Sequence, residues 1–288
     1  NPVNSQNYPD KSIKVIVPYS PGAGTDTLAR IIGNKFSEFV GQPIIIDNRP
    51  GAGGAIGTEL VAKSAPDGYN LLFTPASFAI NSNVLQKLNF DPKTDFSSIS
   101  LIASLPVLLA VPSNFPANSI KELVQYGQKN PDKLTMGSSG NGTVFHLTGE
   151  LFKIDSGISF VHVPFKGGAP AVTALLGNQI NMLFETPVTL MPHVNAGKLK
   201  IIGVASAKRL PYLANVSTFV ESGYPSVISE NWYAYLAPKG TPQPVIEKVY
   251  LILGKTIQDS LVQRQLSEQG ADVRYLNPKE TKAFIDRS

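Results

Sequence analysis

A β-branched apolar run, a glycine-rich turn and then apolar residues at helical spacing recur in this order along the chain, which confines it to an α/β fold. The first instance is Ile13–Pro18, followed by the turn Tyr19-Ser20-Pro21-Gly22-Ala23-Gly24-Thr25-Asp26. Leu28, Ile31, Ile32, Phe36, Phe39 and Val40 then fall at helical spacing, with Gly41 where a helix C-cap belongs. In the second instance the strand Ile44–Ile46 and the turn Arg49–Gly54 lead to a helix with Ile56, Leu60 and Val61 on one face. Tyr69–Thr74 reads as a third strand, entered through Pro66-Asp67-Gly68. Strands alternating with helices predict a parallel sheet covered by helices on both faces.

A second series follows the apolar stretch Ile99–Val111, which reads as two strands meeting at a bend at Pro106. Ser119 and Glu122 have capping-box spacing and open a helix over Ile120–Lys129. The strand Leu134–Gly137, the loop Ser138–Gly142 and a helix carrying Val144, Leu147, Leu151 and Phe152 come next. Then follow the strand Phe160–Val163 with the helix Ala169–Leu176, the strand Ile180–Phe184 with the helix Val188–Ala196, and the strand Leu199–Ala205. Asn231–Leu236 reads as a strand, Pro242 opens a helix to about Asp259, and a strand Asp272–Tyr275 and a helix from Pro278 complete the pattern. A length of 288 residues suits two domains. The expected organisation is two doubly wound α/β lobes joined by a two-segment hinge: residues 1–104 and 231–288 form a discontinuous first lobe, residues 105–230 the second. A ligand cleft is expected between them.

Composition removes several function classes. The chain has no cysteine, which excludes thiol catalysis, cysteine zinc sites and a disulfide framework. Its net charge of +4 comes from basic residues spread along the chain, so no nucleic-acid partner is expected. No apolar run is long enough to span a membrane. The polar start, Asn1–Lys11, carries no export signal, and a removed signal peptide is presumed.

Ligands of open α/β sheets sit outside the carboxyl ends of strands, where helix N-termini attract anions. The loops Tyr19–Asp26 and Ser138–Thr143 occupy that place. Gly22–Thr27 is not a phosphate loop, because Gly-Lys-Ser/Thr is missing and Asp26 would repel a phosphate. Neither Ser138 nor Ser139 fits a nucleophile elbow, since Met136 and Asn141 stand where glycine is required. His146, His162 and His193 lie far apart in sequence with no metal-ligand spacing, and no carboxylate pair is placed for acid–base work. No catalytic residue, metal or cofactor is therefore expected. What remains is a neutral set at strand ends, Tyr19, Gly24, Thr25, Ser77, Asn81, Ser138, Gly140, Asn141 and Thr143, suited to reversible capture of a carboxylate. Asp26 either binds at the same loop or hydrogen-bonds the turn above it. Lys166 is the cation expected at the cleft edge, and Glu185 points there by the strand-end rule, where it could take a ligand ammonium or hydroxyl or else cap the next helix.

Several segments, in order, resemble the Bug-type substrate-binding proteins of tripartite tricarboxylate transporters. They are Tyr8–Lys11 with Ile16–Asp26, Asp47–Gly54, Ala65–Tyr69, Gly137–Gly142, His162–Gly167 and Leu236–Pro242. The resemblance implies a type II, periplasmic binding protein-like fold whose lobes close on a small carboxylate: a di- or tricarboxylate, an acidic amino acid or an aromatic carboxylate. It also implies a periplasmic monomer that delivers its ligand to the membrane subunits of such a transporter, and a cleft lined by loops matching Tyr19–Asp26, Pro75–Asn81 (adding Ala76) and Ser138–Thr143. Glu185 stands where the family often has aspartate, and Ala23 where a third glycine is usual. Tyr19, Phe78 and Phe165 flank these loops and make aromatic carboxylates a subset to test. The alternatives are an α/β enzyme acting on a small carboxylate through Ser138 or His146, and a chemosensory binding protein with the same cleft.

Overall fold

Ile13, Val15, Ile16 and Val17 are fully or almost fully buried, and they build the first strand, β1 (Ile13–Val17), of a computed structural model that describes residues 8–84, 88–131 and 133–288. Helix α1 (Gly24–Val40) follows, burying Leu28, Ile32 and Phe36 at intervals of four. It ends at Gly41, whose left-handed backbone (φ 74°) lets its N–H reach the Ser37 carbonyl. Next come β2 (Ile44–Asn48), α2 (Ala55–Ala62), β3 (Asn70–Pro75), α3 (Ser77–Val84) and β4 (Phe96–Pro106).

The second series runs β5 (Leu108–Pro112), α4 (Ile120–Lys129), β6 (Thr135–Ser138), α5 (Val144–Ser156), β7 (Val161–Pro164), α6 (Gly168–Leu176), β8 (Met182–Glu185), α7 (Pro187–Asn195) and β9 (Leu199–Val204). The chain closes with β10 (Glu230–Pro238), α8 (Gln243–Gln258), α9 (Ser260–Glu268), β11 (Asp272–Val273) and α10 (Pro278–Arg287). By its contacts it divides into two units, Asn1–Ser104 with Trp232–Ser288, and Leu105–Asn231.

Each unit has its own sheet. The first is ordered β2-β1-β3-β10-β4-β11, the second β7-β6-β8-β5-β9. In both, three consecutive strands lie in parallel as second, first, third, β2-β1-β3 and β7-β6-β8, and a further strand then joins antiparallel, β10 from the far end of the chain in the first unit and β5, which opens the second series, in the second. The sheets are therefore mixed, not wholly parallel as the strand–helix alternation suggests. β10 runs against β3 with Tyr235 opposite Phe73, and β5 runs against both β8 and β9. In the first unit Phe73 packs on Tyr233 and Tyr235; in the second Phe152, Phe184 and Phe219 pack on one another.

Local differences from the sequence reading have identifiable causes. α2 does not bury Ile56 and Leu60, which are 54% and 39% exposed, but seats Ala55, Gly57, Thr58 and Val61 inward. Gly57 dictates this choice, because a Cβ there would lie 2.7 Å from the Arg49 carbonyl oxygen and 2.9 Å from Pro18 Cα, an approach only a glycine face allows. α8 ends at Gln258, in line with the expected end near Asp259, but Asp259 at once caps a further helix, α9, by accepting from the Leu261 and Val262 N–H groups. Ser119 caps α4 by accepting from Glu122 N–H, while the Glu122 carboxylate takes the Asn118 N–H and not that of Ser119, so the box is only half made.

Candidate functional site

In the first unit, polar residues just beyond the ends of β1, β2 and β3 converge on one backbone carbonyl. Tyr19 Oη donates to the Gly53 carbonyl at 2.8 Å, and Asn81 Nδ2 donates to the same oxygen at 3.1 Å. Because the phenol's single proton goes to Gly53, the Ser77 hydroxyl is the donor in its 2.6 Å bond to Tyr19 Oη. Gly54 permits this packing: a Cβ on it would lie 3.0 Å from Tyr19 Oη. Ala76 supplies the carbonyl that accepts from Ala79 and Ile80 at the start of α3. The structure thus joins Tyr19, Ser77 and Asn81 in one network through Gly53, a hub that the glycine-rich turn conceals in sequence.

Asp26 bonds a separate set of partners. Its carboxylate accepts from Gly22 N–H at 2.9 Å, from Asn48 Nδ2 at 3.0 Å and from Arg30, and Asn48 also donates to the Tyr19 carbonyl. Burial alone would raise its pKa, but the Arg30, Gly22 and Asn48 bonds outweigh it and hold the carboxyl below the usual range. Asp26 therefore braces the turn that carries Tyr19, with Asn48 as an unforeseen second brace. Gly24 and Thr25 are buried in the first turn of α1.

In the second unit, Ser138 is fully buried at the end of β6, with Oγ 2.6 Å from His162 Nε2. His162 stacks on His146, ring centroids 4.1 Å apart, so two histidines remote in sequence meet. His146 Nδ1 accepts from Gly142 N–H, and Thr143 caps α5 by accepting from His146 N–H while donating to the Gly140 carbonyl. Asn141 and Lys166 are exposed. Glu185 does not present its carboxylate to solvent. It is buried, accepts from the Ser139 hydroxyl and from both N–H and hydroxyl of Thr186, and lies against Gly168, where a Cβ would come within 2.6 Å of Oε2. Burial pushes its pKa up to about 7, although the Ser139 and Thr186 bonds oppose the shift.

Burial, with His146 and Lys153 beside it, pushes His162 down to about 4, and no carboxylate figures among the charges acting on it. A serine–histidine pair activates a hydroxyl best when the imidazole is a base near neutral pH oriented by an acid, and the low position of His162 works against that role for Ser138–His162. Among the described residues no group of three His, Cys, Asp or Glu side chains is placed to hold a metal. Among the same residues no helix is long and apolar enough to cross a membrane. The helices α1, α3, α5, α6 and α7 begin at or near the strand ends that carry the hydroxyl and amide groups, a setting that favours anions.

Two α/β units whose sheets share the order second-first-third, each extended by an antiparallel strand beside the third, define a type II periplasmic binding protein fold. The chain belongs to the tripartite tricarboxylate transporter family receptors, whose family model matches residues 28–288, and within it to the Bug-type proteins. It is 31% identical over 286 residues to protein BugT of Bordetella pertussis, covering 99% of this chain and 88% of that protein. The solved structure of the periplasmic binding protein BugD is 33% identical with a TM-score of 0.94, covering 97% of this chain and 94% of that one. MatC from Rhodopseudomonas palustris, solved with bound malate, is 30% identical with a TM-score of 0.91, covering 97% of each chain. An R. palustris protein solved with adipate is likewise 30% identical, with a TM-score of 0.93 and coverage of 97% and 94%.

Proposed function

We propose that this protein is a periplasmic receptor, not an enzyme, that captures a small carboxylate and passes it to the membrane subunits of a tripartite tricarboxylate-type transporter. The observation that carries this reading is the gathering of helix N-termini at the strand ends, those of α1 and α3 in one unit and of α5, α6 and α7 in the other, beside turns braced by the neutral networks of Tyr19, Ser77 and Asn81 and of Ser138 and Thr143. Helix N-termini hold a carboxylate without an arginine clamp, which keeps capture reversible. The malate and adipate found in two structural relatives support the ligand class. Acidic amino acids and aromatic carboxylates stay within it. The ligand biases an open–closed equilibrium of the two lobes because it gains its full contacts only in the closed form, and the membrane subunits recognise that form.

The test is native mass spectrometry of gently purified protein, followed by a thermal-shift panel of malate, adipate, glutamate and benzoate. A ligand at about 100 times its dissociation constant adds roughly 2.7 kcal/mol of apparent stability. Stabilisation by one subclass, with compaction in solution scattering, is the expected result. No carried carboxylate and no shift with any acid would overturn the reading. The Ser138–His162 contact keeps an enzymatic alternative concrete, and Ser138→Ala separates the two: a receptor loses some affinity, an enzyme its turnover.

A further inference from the structure

Around the Gly53 carbonyl every side-chain polar atom described above has a partner except one. Asn81 Nδ2 donates to that carbonyl, which fixes the orientation of the amide, since turning it over would set its oxygen against the carbonyl oxygen. Oδ1 is then buried, on a residue only 1% exposed, and no donor among the described residues reaches it. The neighbouring hydroxyls cannot help, because Tyr19 gives its proton to Gly53 and Ser77 gives its own to Tyr19. Among the described residues one further buried side-chain polar atom lacks a partner, Tyr235 Oη, which belongs to a ring packed between Phe36 and Phe73 in the sheet core and marks no ligand position. Asn81 instead lies on α3, which starts directly after the carboxyl end of β3, in the network that gathers the ends of three neighbouring strands.

An amide oxygen only accepts. A ligand carboxylate cannot satisfy it, whereas a hydroxyl or ammonium group can. We propose that Asn81 Oδ1 reads a hydrogen-bond donor on the ligand, so that the protein selects hydroxy- or amino-substituted carboxylates over unsubstituted acids of the same chain length. The inference rests on the carboxylate-receptor reading and narrows it. A site whose buried polar atom is left unpaired by the wrong ligand discriminates strongly, whereas one that merely adds contacts does not.

The experiment is calorimetric titration of the whole protein with matched pairs: malate and aspartate against succinate, and 2-hydroxyglutarate and glutamate against glutarate. The hydroxy and amino arms show which donor is read. In the unaltered protein at least one substituted acid binds roughly tenfold or more tightly than its plain counterpart. In Asn81→Leu that ratio falls towards one, whatever loss of affinity the two members of a pair share. Equal affinity within every pair, the result expected if an ordered water satisfies Oδ1, overturns the inference, as does a preference that survives in Asn81→Leu. Binding of unsubstituted or aromatic acids alone also overturns it while leaving the receptor reading intact. Binding of no carboxylate at all removes the receptor reading itself, and this inference with it. The comparison in the unaltered protein does not depend on how well the variant folds.

Discussion

Glu185→Gln replaces a buried acid by its neutral isostere, and its effect on stability should depend on pH in a way that follows from the position of the carboxyl. Burial raises that group from 4.5 to about 7 in the folded protein, with Ser139 and Thr186 opposing the rise. Between those two values the folded state keeps a proton that the unfolded chain has released. Stability therefore falls as pH rises through the window and levels off above it; below it, the group contributes nothing. At about 1.36 kcal/mol per pKa unit, the full loss is about 3 kcal/mol. Glutamine does not ionise, yet its oxygen can accept from Thr186 and its nitrogen can donate to Ser139 Oγ, the partners that Glu185 has. Urea unfolding of both proteins at about pH 4.5 and about pH 8 measures the difference. The variant should gain about 3 kcal/mol on its parent between the two pH values, whatever constant offset the substitution carries. A gap that does not change with pH, or that closes at high pH, refutes the account of a carboxyl held protonated by burial.

Other substitutions test the packing and the braces. Gly57→Ala drives a Cβ into the Arg49 carbonyl and Pro18 Cα, backbone atoms that cannot move aside, and should cost about 1–3 kcal/mol in urea unfolding. Gly33→Ala meets only the end of the Ile46 side chain at 3.1 Å and should stay within about 1 kcal/mol of the parent, because improved helix propensity offsets the adjustment. Asp26→Ala leaves the Gly22 N–H and the Asn48 amide short of an acceptor, a loss of about 1–3 kcal/mol near neutral pH, with little added by the half-exposed Arg30. Since the Asp26 carboxyl is held below its ordinary 3.8, its contribution is complete above that value and disappears as pH falls through the lower folded one. The gap between Asp26→Ala and its parent should accordingly narrow in acid melts. Ser119→Ala removes the cap of α4 and should lower stability by about 1 kcal/mol in thermal melts.

Turn chemistry made most of the elements legible. Gly41 after Val40, Ser119 before Ile120 and Pro242 before Gln243 each carry a local reason for a boundary, and local reasons survive folding. Strand direction does not belong to that class. Asn231–Leu236 is an apolar run that reads the same in either sense, and only its pairing with β3 makes it antiparallel. Helix α9 escaped notice because it buries only Val262 and Leu266, too narrow an apolar stripe to stand out beside α8. The inward face of α2 was hidden for the opposite reason: the helix turns its small residues to the sheet and its large ones outward.

The candidate site divides along the same line. Hydroxyls and amides at strand ends are visible as residue types, so Tyr19, Ser77, Asn81, Ser138 and Thr143 could be named before any coordinates. Which of them touch depends on register and on the path of the turns. In the pairing of β6 with β8, Met136 lies beside Met182 and Gly137 beside Leu183, and continuing that register two residues sets Ser139 beside Glu185. A hydroxyl at that point draws the carboxyl inward, and Gly168, lacking a Cβ, leaves the space it enters. The strand-end rule alone would aim Glu185 at a ligand; register turns it inward as a buried carboxyl near the N-termini of α6 and α7.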